Sequence, residues 1–222
     1  QPNEDGELIL AINVKNPPPV TSQKDKNLTV VMRSSIGAAS VPDELKGTKL
    51  TSEDTIEFKL SSKFVFSGKS LYGSSPIPNS GPFPPQVGQK TSYAILWEVK
   101  NFTNDILNAE VVGTLPPNVT WENITKTDGT PVTYDSASSE VRWRIGTISA
   151  GTGVLSPTMT SAFQVAVIPD ETDRGHAIKL INPSRLMGTD SFTGIPVSEE
   201  IDVLTTELPF DTSATFGDGA VR

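Results

Sequence analysis

The chain has 222 residues, a formal net charge of −8 and a hydrophobic fraction of 36%. This acidic balance disfavours binding to nucleic acid or to an anionic membrane, because both need a cationic surface. The absence of cysteine excludes disulfides from the fold. No apolar stretch approaches the roughly 20 residues of a membrane span. Because the sequence starts at Gln1 and not at Met, we expect a processed protein or part of a longer one.

Short strands dominate the predicted secondary structure. A period of two between apolar and polar residues is typical of a strand with one buried face. It occurs in segments near positions 8–14, 28–32, 56–66, 93–99, 141–145, 163–167, 178–180 and 201–203. The one helical candidate is a single turn within 41–47. Many short strands at this spacing predict an all-β fold, a sandwich or a barrel.

The clearest strand pattern lies in residues 91–121. One side of the extended chain is apolar, with Tyr93, Ile95, Trp97 and Val99. The other side is largely polar, with Ser92, Glu98 and Lys100. The pattern therefore predicts one buried face and one polar face for this strand.

The segment 74–85 is rich in proline, with five prolines in twelve residues and no periodicity. Such a stretch forms a stiff connection without regular structure. We predict a long loop that crosses one end of a sandwich, and we prefer this interpretation to a domain boundary.

The two ends of the chain resemble each other. Residues 33–60 and 183–208 share a small or polar pair, a glycine, an insert and an acidic segment before a strand. Aligning Ile56 with Ile201 gives an offset of roughly 145 residues between the two segments. We therefore predict a strand-rich half-repeat at 1–55, the C-terminal half of a preceding domain, and a complete sandwich at 56–222. Half a sandwich exposes an apolar face and unpaired strand edges. It must pack on the following domain, on a missing N-terminal part or on another copy.

A family resemblance rests on several strand cores and corners. They are residues 76–101, 115–121, 141–148, 163–169, 188–194 and 204–211. Together they resemble the immunoglobulin-like tandem repeats of large surface proteins from candidate-phyla (Patescibacteria-type) bacteria, which are distantly similar to the repeat domains of cell-wall adhesins. The resemblance covers about 56–222, and 1–55 only as a degenerate half-repeat. It implies an immunoglobulin-like antiparallel β-sandwich in an extracellular, cell-surface protein, and it brings no catalytic residues.

Catalytic and metal chemistry have few candidate residues. His176 is the single histidine, and no nucleophile or paired-acid motif accompanies it, so we predict that the chain is not an enzyme and holds no cofactor. Asp170, Glu171 and Asp173 form an acidic loop that calcium could use. The loop lacks the spaced pattern of a calcium motif, so a solvated loop is the preferred interpretation.

Modification and ligand binding add further candidates. Four Asn-x-Ser/Thr sequons lie at predicted strand ends or corners, where a glycan is tolerated: Asn27, Asn101, Asn118 and Asn123. A bacterial source would usually leave them bare. Trp121, next to a polar corner, is a candidate sugar-binding platform, whereas Trp97 and Trp143 are predicted core residues because a sandwich needs bulky side chains between its sheets.

The leading functional hypothesis is a structural subunit or segment of an extracellular bacterial assembly. A filament, a surface layer and an adhesin stalk are the forms considered, built by strand pairing with copies of itself or with neighbouring repeats. The alternative is an adhesin module that recognises carbohydrate or host protein through loops such as 74–90 and 149–160.

Overall fold

The computed structural model describes residues 7, 9, 11, 20–22, 24–38, 43–48 and 50–222. These residues contain thirteen strands: β1 Thr29–Gly37, β2 Thr51–Lys59, β3 Phe64–Leu71, β4 Thr91–Asn101, β5 Ile106–Thr114, β6 Val119–Thr127, β7 Val132–Asp135, β8 Glu140–Ile148, β9 Met159–Val167, β10 Lys179–Ile181, β11 Ser184–Asp190, β12 Pro196–Ile201 and β13 Leu204–Thr205. Two single-turn 3₁₀ helices, Asp43–Leu45 and Glu171–Asp173, are the only helices in this part of the chain. The all-β prediction is confirmed, while the strand predicted at 8–14 falls mostly outside the described residues.

Two antiparallel sheets face each other and form a sandwich. The five-stranded sheet has the order β12-β11-β5-β8-β7, and the four-stranded sheet has the order β3-β4-β9-β6. A short ladder of β10 and β13 lies beside them, and β1 and β2 form a separate hairpin. The predicted antiparallel sandwich is therefore confirmed.

Aromatic side chains fill the space between the sheets. Trp97 and Trp143 are fully buried, as predicted. The ring of Trp97 meets Phe66 and Phe163 edge-on, with centroids 6.3 Å and 4.9 Å away. Such edge-to-face pairs stabilise the core by more than the burial of their apolar area alone, and they favour one arrangement of the rings.

The first half of strand β4 is buried on both of its faces. Its outer face carries Ser92 and Ala94, which lie under the Pro-rich loop. Gln164 of the neighbouring strand ties this loop down, because its Nε2 donates to the Pro78 carbonyl at 2.8 Å and to Asn79 Oδ1 at 2.9 Å. The loop therefore covers part of the outer face of the four-stranded sheet. The sequence predicted a polar outer face for β4 and a loop that crosses one end of the sandwich.

The C-terminal segment is fixed to the end of β3 by a buried carboxylate. Asp211 accepts hydrogen bonds from the Gly73 N–H at 2.8 Å and from the Ser74 hydroxyl at 2.9 Å. It also accepts from the Ser213 hydroxyl at 2.6 Å. Although burial alone raises the pKa of Asp211, these hydrogen bonds outweigh it and hold the pKa far below the ordinary value.

The predicted boundary between 1–55 and 56–222 falls inside β2. This strand pairs along its whole length with β1, from Thr29 opposite Lys59 to Gly37 opposite Thr51. The extended pattern at 56–66 is two strands, interrupted at 60–63. The hairpin therefore extends to residue 59, and the sandwich begins with β3.

Replacing Trp97 by alanine should lower the free energy of unfolding by about 3–5 kcal/mol, because it opens a large cavity between the sheets. Ile168→Ala is the control, since Ile168 is 62% exposed and its loss should cost no more than about 0.5 kcal/mol. Urea unfolding followed by circular dichroism measures both. Equal losses in the two variants would contradict this packing.

Candidate interaction site

The hairpin of β1 and β2, which we call the arm, has two chemically different faces. Residues that oppose each other across an antiparallel pair point to the same side. The register places Met32 opposite Ile56 and Val30 opposite Phe58 on one side. The same side also carries Ser34, Ser52 and Asp54. We call the apolar side chains on this side, Val30, Met32, Ile36, Ile56 and Phe58, the apolar face. The other side is mainly polar, with Thr29, Arg33, Glu53, Thr55, Glu57 and Lys59, although it also carries Val31, which is 50% exposed.

Much of the apolar face is open to solvent. Ile36 is 76% exposed, Ile56 is 50% exposed and Phe58 is 48% exposed. Among the described residues, β1 and β2 pair only with each other, so each also has a free backbone edge. Clustered exposed apolar side chains and unpaired strand edges are both typical of surfaces that contact another protein.

The side chain of Asn104 joins both strands of the arm to the sandwich. Its Oδ1 accepts from the backbone N–H of Asn27, just before β1, at 2.9 Å. Its Nδ2 donates to the carbonyl of Leu60, just after β2, at 2.8 Å. The same Nδ2 donates to Asp190 Oδ2 at 2.8 Å. One amide group therefore fixes the two ends of the hairpin to the five-stranded sheet.

We call the hydrogen bonds of Asn104 with Asn27, Leu60 and Asp190 the joint. The carboxylate of Asp190 supports this joint from inside the protein. The residue is fully buried, and Oδ2 also accepts from the backbone N–H of Ser62 at 2.7 Å. Its Oδ1 accepts from the N–H groups of Phe192 and Thr193 at 2.9 Å and 3.0 Å. Burial alone raises the pKa of Asp190, but the donors outweigh it and hold the pKa below the ordinary value of 3.8.

A cation at the base of the arm adds a contact to the β11–β12 turn. Lys59 Nζ lies 4.8 Å from the centroid of the Phe192 ring and 3.3 Å from the Phe192 carbonyl oxygen. At an exposed site such a cation–π contact contributes about 0.5–1 kcal/mol. It adds a second connection between the arm and the turn that holds Asp190.

Asn101, one of the predicted glycosylation candidates, is a buried structural residue. Its Nδ2 donates to the carbonyls of Asn104 at 2.7 Å and Ile148 at 3.0 Å, and its Oδ1 accepts from the Ser62 hydroxyl at 2.7 Å. Because a glycan would replace a hydrogen on that nitrogen, the folded chain has no room for one at Asn101. The other three candidates, Asn27, Asn118 and Asn123, are exposed.

The acidic loop engages its carboxylates locally. Asp170 accepts from the Thr172 backbone N–H at 2.7 Å, and Asp173 accepts from the Asp170 N–H at 3.0 Å. Glu171 pairs with Arg174 at 3.0 Å. In the described part of the chain, no three His, Cys, Asp or Glu side chains are grouped to hold a metal ion. Calcium binding at Asp170, Glu171 and Asp173 stays a prediction.

The two remaining candidate residues lie apart from the arm. Trp121 is half-buried, stacks on Tyr134 with centroids 5.4 Å apart and tilts against Phe163 at 5.3 Å. The protein therefore occupies part of the ring surface that a sugar would need, and the platform role stays a prediction. His176 is exposed, and its backbone N–H donates to the Asp173 carbonyl at 2.9 Å.

Comparisons with known proteins identify similar folds. No protein-family model and no curated protein matches the chain. Among solved structures, it is similar to three N-terminal domains of the type V pili tip protein Mfa5 from Porphyromonas gingivalis, with 16% identity and a TM-score of 0.36 over 50% of this chain and 23% of that one. It is also similar to BcpA, the major pilin subunit of Bacillus cereus, with 11% identity and a TM-score of 0.37 over 80% of this chain and 65% of that one.

A third similar structure is an enzyme. It is the GH20 exo-β-N-acetylglucosaminidase of Vibrio harveyi, with 9% identity and a TM-score of 0.35 over 63% of this chain and 18% of that one. The chain thus spans less than two thirds of each of these three structures. At these TM-scores the matches carry no functional argument. In the residues that the structure describes, no helix is long and apolar enough to cross a membrane.

Replacing Asn104 by alanine should loosen the arm, because Asn27, Leu60 and Asp190 each lose a hydrogen-bond partner. We expect amide hydrogen exchange at the base of the arm to be roughly tenfold to hundredfold faster, as follows from losing about 1–3 kcal/mol of local stability. Asn79→Ala is the control, since the Asn79 amide donates to Leu71 and Tyr72 under the Pro-rich loop. Equal acceleration of the arm in both variants would contradict the assignment of the joint.

The joint should weaken when the solution is made acidic. Because the folded pKa of Asp190 lies below its ordinary value of 3.8, the carboxylate stabilises the fold above that pH, and the contribution is lost as the pH falls through the folded pKa. Protection of the Ser62 amide, measured by hydrogen exchange at a series of pH values, should therefore decrease below about pH 4.

Two variants isolate the contribution of Asp190. Asp190→Asn should lose stability at neutral pH and show a smaller change in stability between about pH 5 and about pH 2. Asp211→Asn removes another carboxylate with a lowered pKa at the opposite end of β3, and it should leave protection at Ser62 unchanged at neutral pH. An Asp190→Asn protein with the full pH dependence of the parent would contradict the role of this carboxylate.

Proposed function

We propose that the chain is a structural module of an extracellular bacterial assembly, in which the arm packs its apolar face on a neighbouring module. Two observations together support this proposal. The apolar face is about half exposed, and buried hydrogen bonds of Asn104 and Asp190 hold the arm in a fixed direction. A loop without a partner has no need of a buried carboxylate and an amide that fix its direction.

Burial of the apolar face supplies the driving force for this contact. Fully burying one large apolar side chain contributes roughly 1.5–3 kcal/mol. Covering the exposed halves of Ile56 and Phe58 therefore contributes on the order of 1 kcal/mol each, and Ile36 contributes more because it is further exposed. The joint lowers the entropic cost of docking, since the arm is already oriented.

The polar face and the strand edges give the contact its direction. Arg33, Glu53, Glu57 and Lys59 keep one side of the arm in water, so a partner covers only the other side. The free edges of β1 and β2 can add backbone hydrogen bonds to a neighbouring strand. A contact between two different surfaces that does not close on itself produces a linear array, which is the geometry of a filament or a stalk.

A charge on the apolar face should reduce association of the chain. Without a neighbouring module, two arms in solution cover each other's apolar faces, so the parent chain should associate as its concentration rises. Phe58→Lys places an ammonium group in that contact and should shift the chain towards monomer in sedimentation velocity experiments.

Thr55→Lys is the matched control, because it adds the same charge on the opposite face of the same strand. It should associate like the parent chain. If Phe58→Lys and Thr55→Lys associate to the same extent, or if the parent chain is monomeric at every concentration, the apolar face is not the contact surface.

A further inference from the structure

A row of modules needs a second docking surface in addition to the arm. Two arms that cover each other's apolar faces form a closed pair, which leaves neither arm for a third chain. A row that continues requires the arm of one module to pack on a different surface of the next. Such a surface must be exposed and at least partly apolar.

The loop 209–218, which we call the C-terminal loop, carries a surface of this kind. Phe216 is fully exposed, at 102%, and Phe210 is 61% exposed. Beside Phe216 lies a cavity of about 420 Å³, which is lined by Glu207, Leu208, Pro209, Ala214, Thr215 and Phe216. Single exposed apolar side chains are common, but two exposed aromatic rings in one loop beside a cavity are typical of a surface that contacts another protein.

The C-terminal loop is held in place by hydrogen bonds and by the strained residue before it. Asp211 binds Ser74 at the end of β3, and Asp218 Oδ2 accepts from the Thr215 backbone N–H at 2.9 Å. Leu208 has a φ of 51°, which a bulky residue rarely adopts, and its side chain is almost completely buried. Such strain persists only where the surrounding structure enforces it, and it is concentrated at functional sites. An ordered loop therefore presents the two phenylalanines to solvent.

The C-terminal loop and the base of the arm lie at opposite ends of the sandwich. The strand β3 begins beside the joint, since Ser62 binds Asp190, and it ends beside the loop, since Gly73 binds Asp211. The strand has eight residues, so at roughly 3.3 Å per residue its ends lie roughly 25 Å apart. A contact between these two surfaces in different copies leaves one arm and one loop unused, so it can be repeated.

The end of the sandwich with the C-terminal loop is acidic. Its exposed and half-buried carboxylates are Asp170, Glu171, Asp173, Glu207 and Asp218. The Gly175 N–H donates to the Val221 carbonyl at 2.9 Å, which places the acidic loop next to the C-terminal segment. Arg174 and Arg222 offset two of these charges, at 3.0 Å from Glu171 and 3.6 Å from Asp218. The carboxylates are therefore in excess at this end.

The base of the arm carries the opposite charge. Its exposed lysines are Lys24, Lys26, Lys59, Lys63 and Lys100. They outnumber the acidic residues of the same region, which are Asp25, Glu57 and Asp105. Further out on the arm, Glu53 and Asp54 would be repelled by the acidic end of a neighbouring copy. Charge complementarity therefore places the contact at the base of the arm, where Phe58 lies.

We infer that the C-terminal loop is the surface on which the arm of a second copy packs, with Phe58 of one chain against Phe216 of the next. This inference rests on the proposed function, because it names the surface that the arm contacts. Burial of the two rings supplies apolar area, and the lysines at the base of the arm meet the carboxylates of the acidic end. The contact of one arm with another is the competing arrangement.

Two variants that each remove one of the surfaces test this inference. Phe58→Lys alters the arm and keeps the loop, whereas Phe216→Lys alters the loop and keeps the arm. Because Phe58 is half exposed and Phe216 is fully exposed, both variants should keep the circular dichroism spectrum of the parent. The sequence contains no cysteine, so Thr133→Cys at an exposed position of β7 gives the Phe58→Lys chain a single site for a fluorophore.

The labelled Phe58→Lys chain should bind the Phe216→Lys chain, because together they provide one intact loop and one intact arm. Fluorescence-detected sedimentation velocity measures this binding, and the two chains should form a 1:1 complex. If arms contacted only each other, the labelled chain would have no partner in this mixture.

The decisive comparison changes the loop of the labelled chain. A labelled Phe58→Lys/Phe216→Lys chain should bind the Phe216→Lys chain roughly tenfold more weakly or worse, because the aromatic anchor of the contact is lost. A labelled Phe58→Lys/Ser198→Lys chain is the matched control, since it adds the same charge at an exposed position of β12. It should bind like the labelled Phe58→Lys chain.

Each outcome concerns a separate contact. If the labelled Phe58→Lys chain does not bind the Phe216→Lys chain, or if Phe216→Lys in the labelled chain has no more effect than Ser198→Lys, the C-terminal loop is not the docking surface and the inference is overturned. The proposed function then still stands where the parent chain associates and Phe58→Lys prevents it. A parent chain that is monomeric at every concentration overturns both.

Discussion

The hydrogen bonds of the Asn104 side chain determine how the arm relates to the rest of the molecule. One amide binds the chain before β1, the chain after β2 and the carboxylate of Asp190. Asp190 in turn binds Ser62, which precedes β3, and the turn after β11. The direction of the arm is therefore set by the same turn that joins β11 to β12. A buried carboxylate is stable here only because these donors replace the water that it lost.

The sequence predicted the strands themselves better than it predicted which of their faces a loop covers. A period of two is sufficient to place Tyr93 and Trp97 in the core, because the sandwich buries that face along all of β4. It did not predict that the first half of the other face is also buried, since the cover comes from a loop that is not itself periodic. The signal was the small size of Ala94 and Ala162, which leaves room for Ile77. The pairing of β1 with β2 crosses the predicted boundary at 55/56, because that boundary came from aligning Ile56 with Ile201 and not from strand pairing.

The residues of the joint could not be predicted from local patterns. Asn104 and Asp190 contact each other across 86 positions, and Ser62 reaches Asp190 across 128. No spacing rule connects polar residues at such separations. The sequence predicted Asn101 only as a glycosylation candidate. In the structure, the amide nitrogen that would carry a glycan donates to buried carbonyls instead. The arm, in contrast, was predicted to expose an apolar face because its half-repeat lacks the strands that would cover it.

The short connection between the arm and β3 has a mechanical consequence for a row of modules. If the arm packs on a neighbouring module, only residues 60–63 separate that contact from the first strand of the sandwich. These residues are not a flexible linker, since Leu60 and Ser62 are held by Asn104 and Asp190. Successive modules would then meet at a hydrogen-bonded junction with a fixed angle. Bending such a row requires breaking buried hydrogen bonds at each junction, so the row resists bending more than domains on glycine-rich linkers do.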